Sequence, residues 1–201
     1  MMNRSAKIFF FYLVCIFVFQ GLLDAGSVSF REKKKSIERK IKILEESKKA
    51  IPFRKQDENW SKLQNLKERF QNFARSGSSQ EREESLLLLE RAVPQITSEF
   101  AAEGKLSAKN LIVRYSEAYL QKKNHSDETP ISAKDEEKSS NYFRMAKEEF
   151  NQAEKFDRDR NDFYALVLYG RSIQYSLKAL DSLDLDPPKG YEGILKKKIK
   201  S

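Results

Sequence analysis

The sequence has few of the residues that build catalytic and metal sites. Its 201 residues include one cysteine, Cys15, and one histidine, His125. A zinc site needs several Cys or His ligands at short spacings, and one residue of each type, far apart, does not provide them. A disulfide within the chain needs two cysteines and is excluded as well. We therefore expect no metal site, no cofactor and no disulfide.

Glycine and proline are also scarce, with seven and five residues. Because Leu, Ala, Glu, Lys, Gln and Arg are abundant instead, the composition favours helix over sheet. The 14 Phe and eight Tyr residues argue against disorder, since their large apolar surfaces need burial. The composition predicts a folded, all-α protein.

Positive charge exceeds negative charge, with 38 basic and 30 acidic residues and a formal net charge of +8. The excess lies near the two ends, in residues 31–42 and 196–201. Such segments attract nucleic acid, anionic lipid head groups or acidic glycans, although solvated helix faces are the simpler interpretation. The basic segments lack interleaved aromatics and a recognisable module, so nucleic-acid binding is not predicted.

An apolar run at residues 8–19 follows a basic start at Arg4 and Lys7. A membrane-spanning helix needs about 20 apolar residues, whereas the apolar region of a secretory signal needs only about 7–15. Small residues around Ala25 and Ser27 provide candidate cleavage sites. Residues 1–25 are therefore predicted to be a signal peptide that directs export to the periplasm or cell envelope.

This segment has two alternative interpretations. Lipid attachment at Cys15 conflicts with Val14 before it and with the apolar residues that continue after it. An uncleaved anchor in the inner membrane stays open as the alternative. The basic cluster that begins at Arg31 complicates both export and anchoring.

Beyond residue 28, apolar residues recur at spacings of three and four, as in amphipathic helices. We predict successive antiparallel helical hairpins, forming a repeat array or an irregular helical bundle. The first is a basic hairpin with coiled-coil potential over 29–75, the second covers 80–123 and the third covers 139–187. A polar loop and linker over 124–138 connects the second and third hairpins, and a basic tail follows over 188–201. Pro52 is expected to stop the first helix, Ser79 to cap the third, Pro94 to kink it and Gly104 to end it.

The stretch YGRSIQYSLKALDSLDLDPP resembles the second helix of a tetratricopeptide repeat. The likeness is carried by Tyr175, Ala179, Leu180, Leu185, Asp186 and Pro187. In such repeats small residues let paired helices approach closely, a part that Ala146 and Gly170 would play here. Within 139–187, the resemblance implies a scaffold that binds peptides or proteins, without catalysis.

The polar residues that invite a catalytic or metal interpretation lie in unfavourable contexts. His125 stands beside Ser126 and Asp127 in a polar loop, where a Ser-His-Asp site would not be held in hydrogen-bonding geometry. The run 157–162 begins like a calcium loop, but Asp162 replaces the glycine and Leu168 the glutamate that such a loop needs. We interpret that run as a turn in which Asp159 or Asn161 caps the next helix. Asn124 begins a glycosylation sequon.

Several tyrosines could line a peptide groove, although most share stripes with aliphatic residues and are expected in the core. They are Tyr115, Tyr119, Tyr142, Tyr164, Tyr169 and Tyr175.

These observations predict an exported, non-catalytic helical scaffold of the cell envelope or periplasm that mediates protein–protein interaction. The expected partner is another protein, with the basic ends contacting anionic envelope components, and neither nucleic acid nor a small-molecule substrate is expected. The alternative is a membrane-tethered coiled-coil structural or assembly component, with Ile37, Ile41 and Leu44 as its pairing seam. A third hypothesis is a soluble enzyme of unfamiliar type.

Overall fold

A computed structural model describes residues 29–51, 57–124 and 131–191 of the chain. These residues form five helices and no strand: α1 (Phe30–Ala50), α2 (Asp57–Ser76), α3 (Ser79–Asn124), α4 (Ala133–Arg158) and α5 (Asp162–Asp181). The all-α prediction is confirmed. The predicted signal peptide, Pro52, the triad around His125 and most of the predicted basic tail lie outside the described residues. The chain divides into two units after Ser36, and the core described below belongs to the second.

Reciprocal caps begin two of the helices, α1 and α3. In α3 the Ser78 amide donates to the Glu81 carboxylate over 2.8 Å, and the Glu81 amide donates to the Ser78 hydroxyl over 3.3 Å. Each partner satisfies a backbone donor that the helix leaves open at its N-terminus. Ser29 and Glu32 form the same arrangement at α1. The cap of α3 is thus Ser78, and the prediction of Ser79 is wrong by one residue.

Helix α4 begins earlier than its sequence suggests. The Ser132 hydroxyl accepts from the Asp135 amide over 3.1 Å, and the helix begins at Ala133. The prediction of a loop and linker over 124–138 is therefore wrong from Ala133 onwards. A capped N-terminus with an acidic first turn is enough to begin a helix in a segment that has no apolar periodicity.

The segment predicted as a second hairpin, 80–123, is one continuous helix of 46 residues. Gly104 does not end it, and the helix also continues through Pro94. A Cβ added at Gly104 would lie 3.3 Å from Ile51 Cδ1 and 3.4 Å from Tyr169 Cβ. Glycine costs a helix only about 1 kcal/mol, which burial of a long apolar face outweighs. Gly104 is thus a point of close packing rather than a helix end.

Helices α4 and α5 form a close antiparallel pair built on small residues. At every seventh position one face of α4 presents Ser139, Ala146 and Ala153, and one face of α5 presents Ala165, Ser172 and Ala179. All six are buried. A spacing of seven residues returns nearly to the same side of a helix, so each series forms a straight, narrow seam.

Two reciprocal hydrogen bonds join the paired helices. The Ser139 hydroxyl donates to the Ala179 carbonyl and the Ser172 hydroxyl donates to the Ala146 carbonyl, each over 2.8 Å. A side chain reaches a carbonyl of the facing helix only where the backbones approach closely, which the small seam residues allow. Ala146 has the role expected of it. Gly170 does not, because a Cβ added there would meet nothing within 4 Å.

The chain turns between α4 and α5 at residues 159–161, as the turn interpretation of 157–162 predicts. Arg160 adopts a positive φ of 57°, and the Asn161 amide donates back to the Phe156 carbonyl over 2.8 Å. This arrangement closes the C-terminus of α4 with a left-handed residue, a position that usually holds glycine. Asn161 occupies the N-cap position of α5, but its side chain makes no capping hydrogen bond.

The core extends from α1 to the segment after α5. The seam residues Ile37, Ile41 and Leu44 of α1 are buried in the same cluster as Leu63 of α2 and Leu89 of α3. Tyr191, within the predicted basic tail, is also buried. Helix α5 packs against both α3 and α4, and α3 and α4 also contact each other.

Candidate functional site

A groove of about 580 Å³ lies between the C-terminal part of α3 and the middle of α4. We call it the aromatic groove. Its lining consists of Tyr115, Ser116, Tyr119 and Leu120 of α3 with Ser140, Phe143, Arg144, Lys147, Glu148 and Asn151 of α4. On α4 these residues recur at spacings of three and four, so they occupy one face of the helix.

Stacked rings form the floor of the groove. The ring centroids of Tyr115 and Phe143 lie 4.3 Å apart with an interplanar angle of 28°. The rings of Tyr115 and Tyr119 stack at 6.0 Å along the same helix. Aromatic pairs at these separations add to the energy of simple burial, so the floor is a rigid apolar surface.

A chain of buried hydrogen bonds holds Tyr115 in place. Its hydroxyl lies 2.7 Å from the Ser139 hydroxyl, which donates its single hydrogen to the Ala179 carbonyl. Tyr115 must therefore be the donor in its bond to Ser139. Burial raises the pKa of Tyr115, which keeps the phenol protonated and able to donate. The chain connects α3, α4 and α5 beneath the groove.

One end of the groove carries a polar cluster of Tyr119, Lys123 and Glu136. The Tyr119 hydroxyl donates to the Glu136 carboxylate, and Lys123 Nζ lies 3.3 Å from both groups. These hydrogen bonds, that from Tyr119 first, lower the pKa of Glu136, and the bond to Tyr119 raises the pKa of Lys123. Glu136 and Lys123 are therefore charged at neutral pH, and their hydrogen bonds to the Tyr119 hydroxyl fix the Tyr119 ring.

Two cations line the α4 wall. Arg144 pairs with Glu148 over 2.8 Å in an exposed ion pair. Lys147 Nζ lies 5.7 Å from the centroid of the Phe143 ring, within the range of a cation–π contact. Among the described residues Lys147 forms no ion pair, so its charge is available to an acidic ligand.

The groove offers surface rather than reactive groups. The Ser116 hydroxyl donates to the Ile112 carbonyl over 3.0 Å, as helix serines commonly do. No histidine or cysteine lines the groove, and within residues 29–51, 57–124 and 131–191 no His, Cys, Asp and Glu side chains cluster as metal ligands. The arrangement suits an apolar side chain laid on the rings, with a carboxylate beside the cations.

The tyrosines considered from sequence separate into different environments. Only Tyr115 and Tyr119 line the groove. Tyr169 is fully buried, and its hydroxyl lies 3.4 Å from Asp157. Tyr164 is 62% exposed and stacks on Phe156. Tyr142 and Tyr175 stack on each other at 6.3 Å, with Lys178 Nζ over both rings.

The residues of the suspected calcium loop have other partners. Asp157 accepts from Lys105 Nζ over 2.9 Å, and Glu154 lies 3.4 Å from the same nitrogen. The hydrogen bond to Asp157 is the main cause of a raised pKa at Lys105. Leu168, at the position where a calcium loop needs glutamate, is buried in α5. Asp157 therefore acts in an interhelical ion pair.

Sequence reasoning missed the α4 side of the groove. Phe143, Ser140, Arg144 and Lys147 are not among the candidate residues identified from the sequence. Their spacing of three and four along the polar flank of α4 was the available signal. Polar residues beside an aromatic stripe are common on solvated helices, however, and they mark a groove only when a second helix borders them.

Comparisons with known proteins identify no relative. The chain matches no protein family, no curated protein and no solved structure. Within the described part of the chain, no helix combines the length and the apolar character that crossing a membrane would require.

Proposed function

We propose that this protein is an exported, non-catalytic helical scaffold that binds a segment of another protein in the aromatic groove. The observation that supports it is the stacked floor of Tyr115 and Phe143 bordered by cations of α4. Binding sites typically combine an apolar surface with a few polar groups that fix orientation. The lining contains no histidine or cysteine, and the described residues contain no cluster of metal ligands, which fits recognition better than catalysis.

The chemistry of the groove specifies its ligand. An aromatic or aliphatic side chain would pack against the ring of Phe143, where it gains dispersion contacts and excludes water. A carboxylate nearby would approach Lys147, which no acidic side chain neutralises among the described residues. We therefore expect a peptide with an apolar anchor and an Asp or Glu close to it.

Selection from a displayed library of random peptides tests this assignment. Peptides enriched on the full-length protein should share an apolar anchor and an acidic neighbour. Lys147→Glu should weaken their binding because it opposes the ligand carboxylate. Lys138→Glu is the matched control: it makes the same charge change at an exposed position of α4 that does not line the groove. An enriched consensus without acidic residues, or equal effects of the two variants, would contradict the assignment.

The resemblance of residues 139–187 to a tetratricopeptide repeat agrees with a scaffold role and stays a hypothesis about family. Deleting this region should abolish partner binding.

Substitution of His125 by Asn should leave binding unchanged, whereas a large loss of function would favour the enzyme hypothesis.

Export is the part of the proposal that depends on residues 1–25. The mass of the protein isolated from its native host should place the N-terminus at Gly26 or Val28. An intact Met1 in the membrane fraction would instead support the tethered alternative. The coiled-coil seam of that alternative has no support from the described residues, since Ile37, Ile41 and Leu44 are buried within the chain. Contact of the basic ends with anionic envelope components remains a secondary proposal.

A further inference from the structure

The side of α3 turned away from the core carries a line of exposed aliphatic residues. Leu106, Val113 and Leu120 are 60%, 48% and 59% exposed. They are separated by seven residues each, so they lie almost directly above one another on the helix. We call this line the α3 stripe. Apolar residues exposed singly are common, but an aligned series along about four turns is typical of a helix-pairing surface.

The residues around the stripe form a pattern that is symmetric about Val113. Leu106 and Leu120 lie seven positions on either side of it, and the opposite charges Lys109 and Glu117 lie four positions on either side. Asn110 and Ser116, both polar, lie three positions on either side. Lys109, Asn110 and Glu117 are exposed and Ser116 is half-buried, so all four border the stripe.

We propose that the α3 stripe pairs with the same stripe of a second copy, antiparallel, with the two-fold axis at Val113. In this arrangement Leu106 packs on Leu120 of the second copy, and the two Val113 side chains meet on the axis. The level between these apolar layers holds Lys109 of one chain and Glu117 of the other. A two-fold interface uses one patch twice, and this patch is complementary to itself.

The charges select the antiparallel direction. A parallel pair would place Lys109 at the level of Lys109 of the second copy, and Glu117 at the level of the other Glu117. Like charges at one level of a helix pair are unfavourable, whereas opposite charges at one level favour pairing. The same three aliphatic residues alone would not distinguish the two directions.

Cysteine cross-linking tests both the contact and its direction. Cys15→Ser removes the only cysteine and supplies a clean background. Val113→Cys in this background should form a disulfide-linked dimer on mild oxidation, whereas Leu106→Cys alone should not. Mixing the Leu106→Cys and Leu120→Cys chains should yield the mixed dimer. Efficient self-linking of Leu106→Cys would overturn the antiparallel arrangement. Arg114→Cys, at an exposed neighbouring position outside the stripe, is the control for the contact itself. If Val113→Cys forms no more disulfide-linked dimer than Arg114→Cys does, the contact would be overturned.

Light scattering provides a second readout that does not depend on disulfide chemistry. The full chain should have twice the mass of a single chain, 23.5 kDa before any processing, and Val113→Asp should halve it. Lys109→Glu should weaken the dimer, and adding Glu117→Lys should restore it, because the exchange preserves complementarity. A monomeric wild-type chain across the concentration range, or a double variant as weak as Lys109→Glu, would overturn the proposal. The inference does not rest on peptide binding. Leu120 and Ser116 also line the aromatic groove, so the dimer is tested by Val113, Lys109 and Glu117, which do not line it, and peptide binding by Lys147, which lies outside the stripe.

Discussion

The Tyr115 hydroxyl donates a hydrogen bond to the Ser139 hydroxyl over 2.7 Å, and Ser139 passes its own hydrogen to the Ala179 carbonyl. Three helices are thereby connected through two buried side chains. Ala179 lies in the last turn of α5, where carbonyls have no partner within the helix. The same bond that satisfies this carbonyl also orients the ring that forms the floor of the groove. Packing and the proposed binding surface thus depend on the same residues.

Removing the Tyr115 hydroxyl and removing the Ser139 hydroxyl should each lower the free energy of unfolding, but by different amounts. Tyr115→Phe deletes one donor and should cost about 1 kcal/mol. Ser139→Ala leaves both the Tyr115 hydroxyl and the Ala179 carbonyl without a partner, and should cost about 2 kcal/mol. The double variant should cost less than the sum, since no phenol then needs an acceptor. Urea denaturation of the four proteins measures this coupling, and strict additivity would contradict the hydrogen-bond chain.

The small-residue seam should not tolerate enlargement. Ala146→Leu places three extra carbons between α4 and α5 and should destabilise by about 3 kcal/mol, or prevent folding. Ala102→Leu is the matched control, because Ala102 is exposed on α3. Chemical denaturation followed by circular dichroism compares the two variants. Equal stabilities would show that the helices are not in close contact at Ala146.

Gly104 and Gly170, both buried, should respond differently to substitution by alanine. Gly170→Ala should stabilise the protein by up to about 1 kcal/mol, because the new Cβ meets nothing within 4 Å and alanine is the better helix former. Gly104→Ala should gain less or lose stability, because Ile51 Cδ1 lies 3.3 Å from the new carbon and must shift. Thermal unfolding of both variants provides the comparison. A larger gain at Gly104 than at Gly170 would contradict the described packing.

Stability should fall in alkaline solution through buried phenols. Burial, followed by the nearby charge of Asp157, raises the pKa of Tyr169 above its ordinary value of 10.0. The folded protein therefore holds this proton at a pH where the unfolded chain releases it. The resulting stability is complete below the unfolded pKa and is lost as the pH rises above it. Tyr169→Phe should flatten the decline of the urea midpoint between about pH 9 and about pH 11, while an exposed control, Tyr164→Phe, should not. Identical pH profiles for the two variants would refute the assignment.

The helical class could be predicted because it depends on local patterns. Spacings of three and four in residues such as Leu86, Leu89 and Val93 predict a helix wherever the face finds a partner. Helix ends were predicted less well. Gly104 only weakly disfavours a helix, and long-range packing overrides that preference. Ser132, the cap of α4, lies in a segment whose polarity alone predicts a loop.

The groove could not be predicted because it is a relationship between two helices. Tyr115 and Phe143 follow the same periodicities as core residues. Tyr115 is buried, and the half-buried ring of Phe143 lines a groove only because α3 borders α4 there. The hydroxyl of Ser139 similarly has no significance in the sequence until α3 and α5 approach it. Such features depend on contacts between residues that are distant in the chain.

Binding of a peptide in the aromatic groove is the principal proposal for this protein. Its most direct test is the affinity of a selected peptide, measured by fluorescence anisotropy, for Ser140→Trp and for Asn141→Trp. Ser140 lines the groove, whereas Asn141, its exposed neighbour, does not. Ser140→Trp should fill the groove and weaken binding by about tenfold or more, equivalent to about 1.4 kcal/mol, while Asn141→Trp should bind like the wild type. Equal affinities for the two folded variants would contradict the claim.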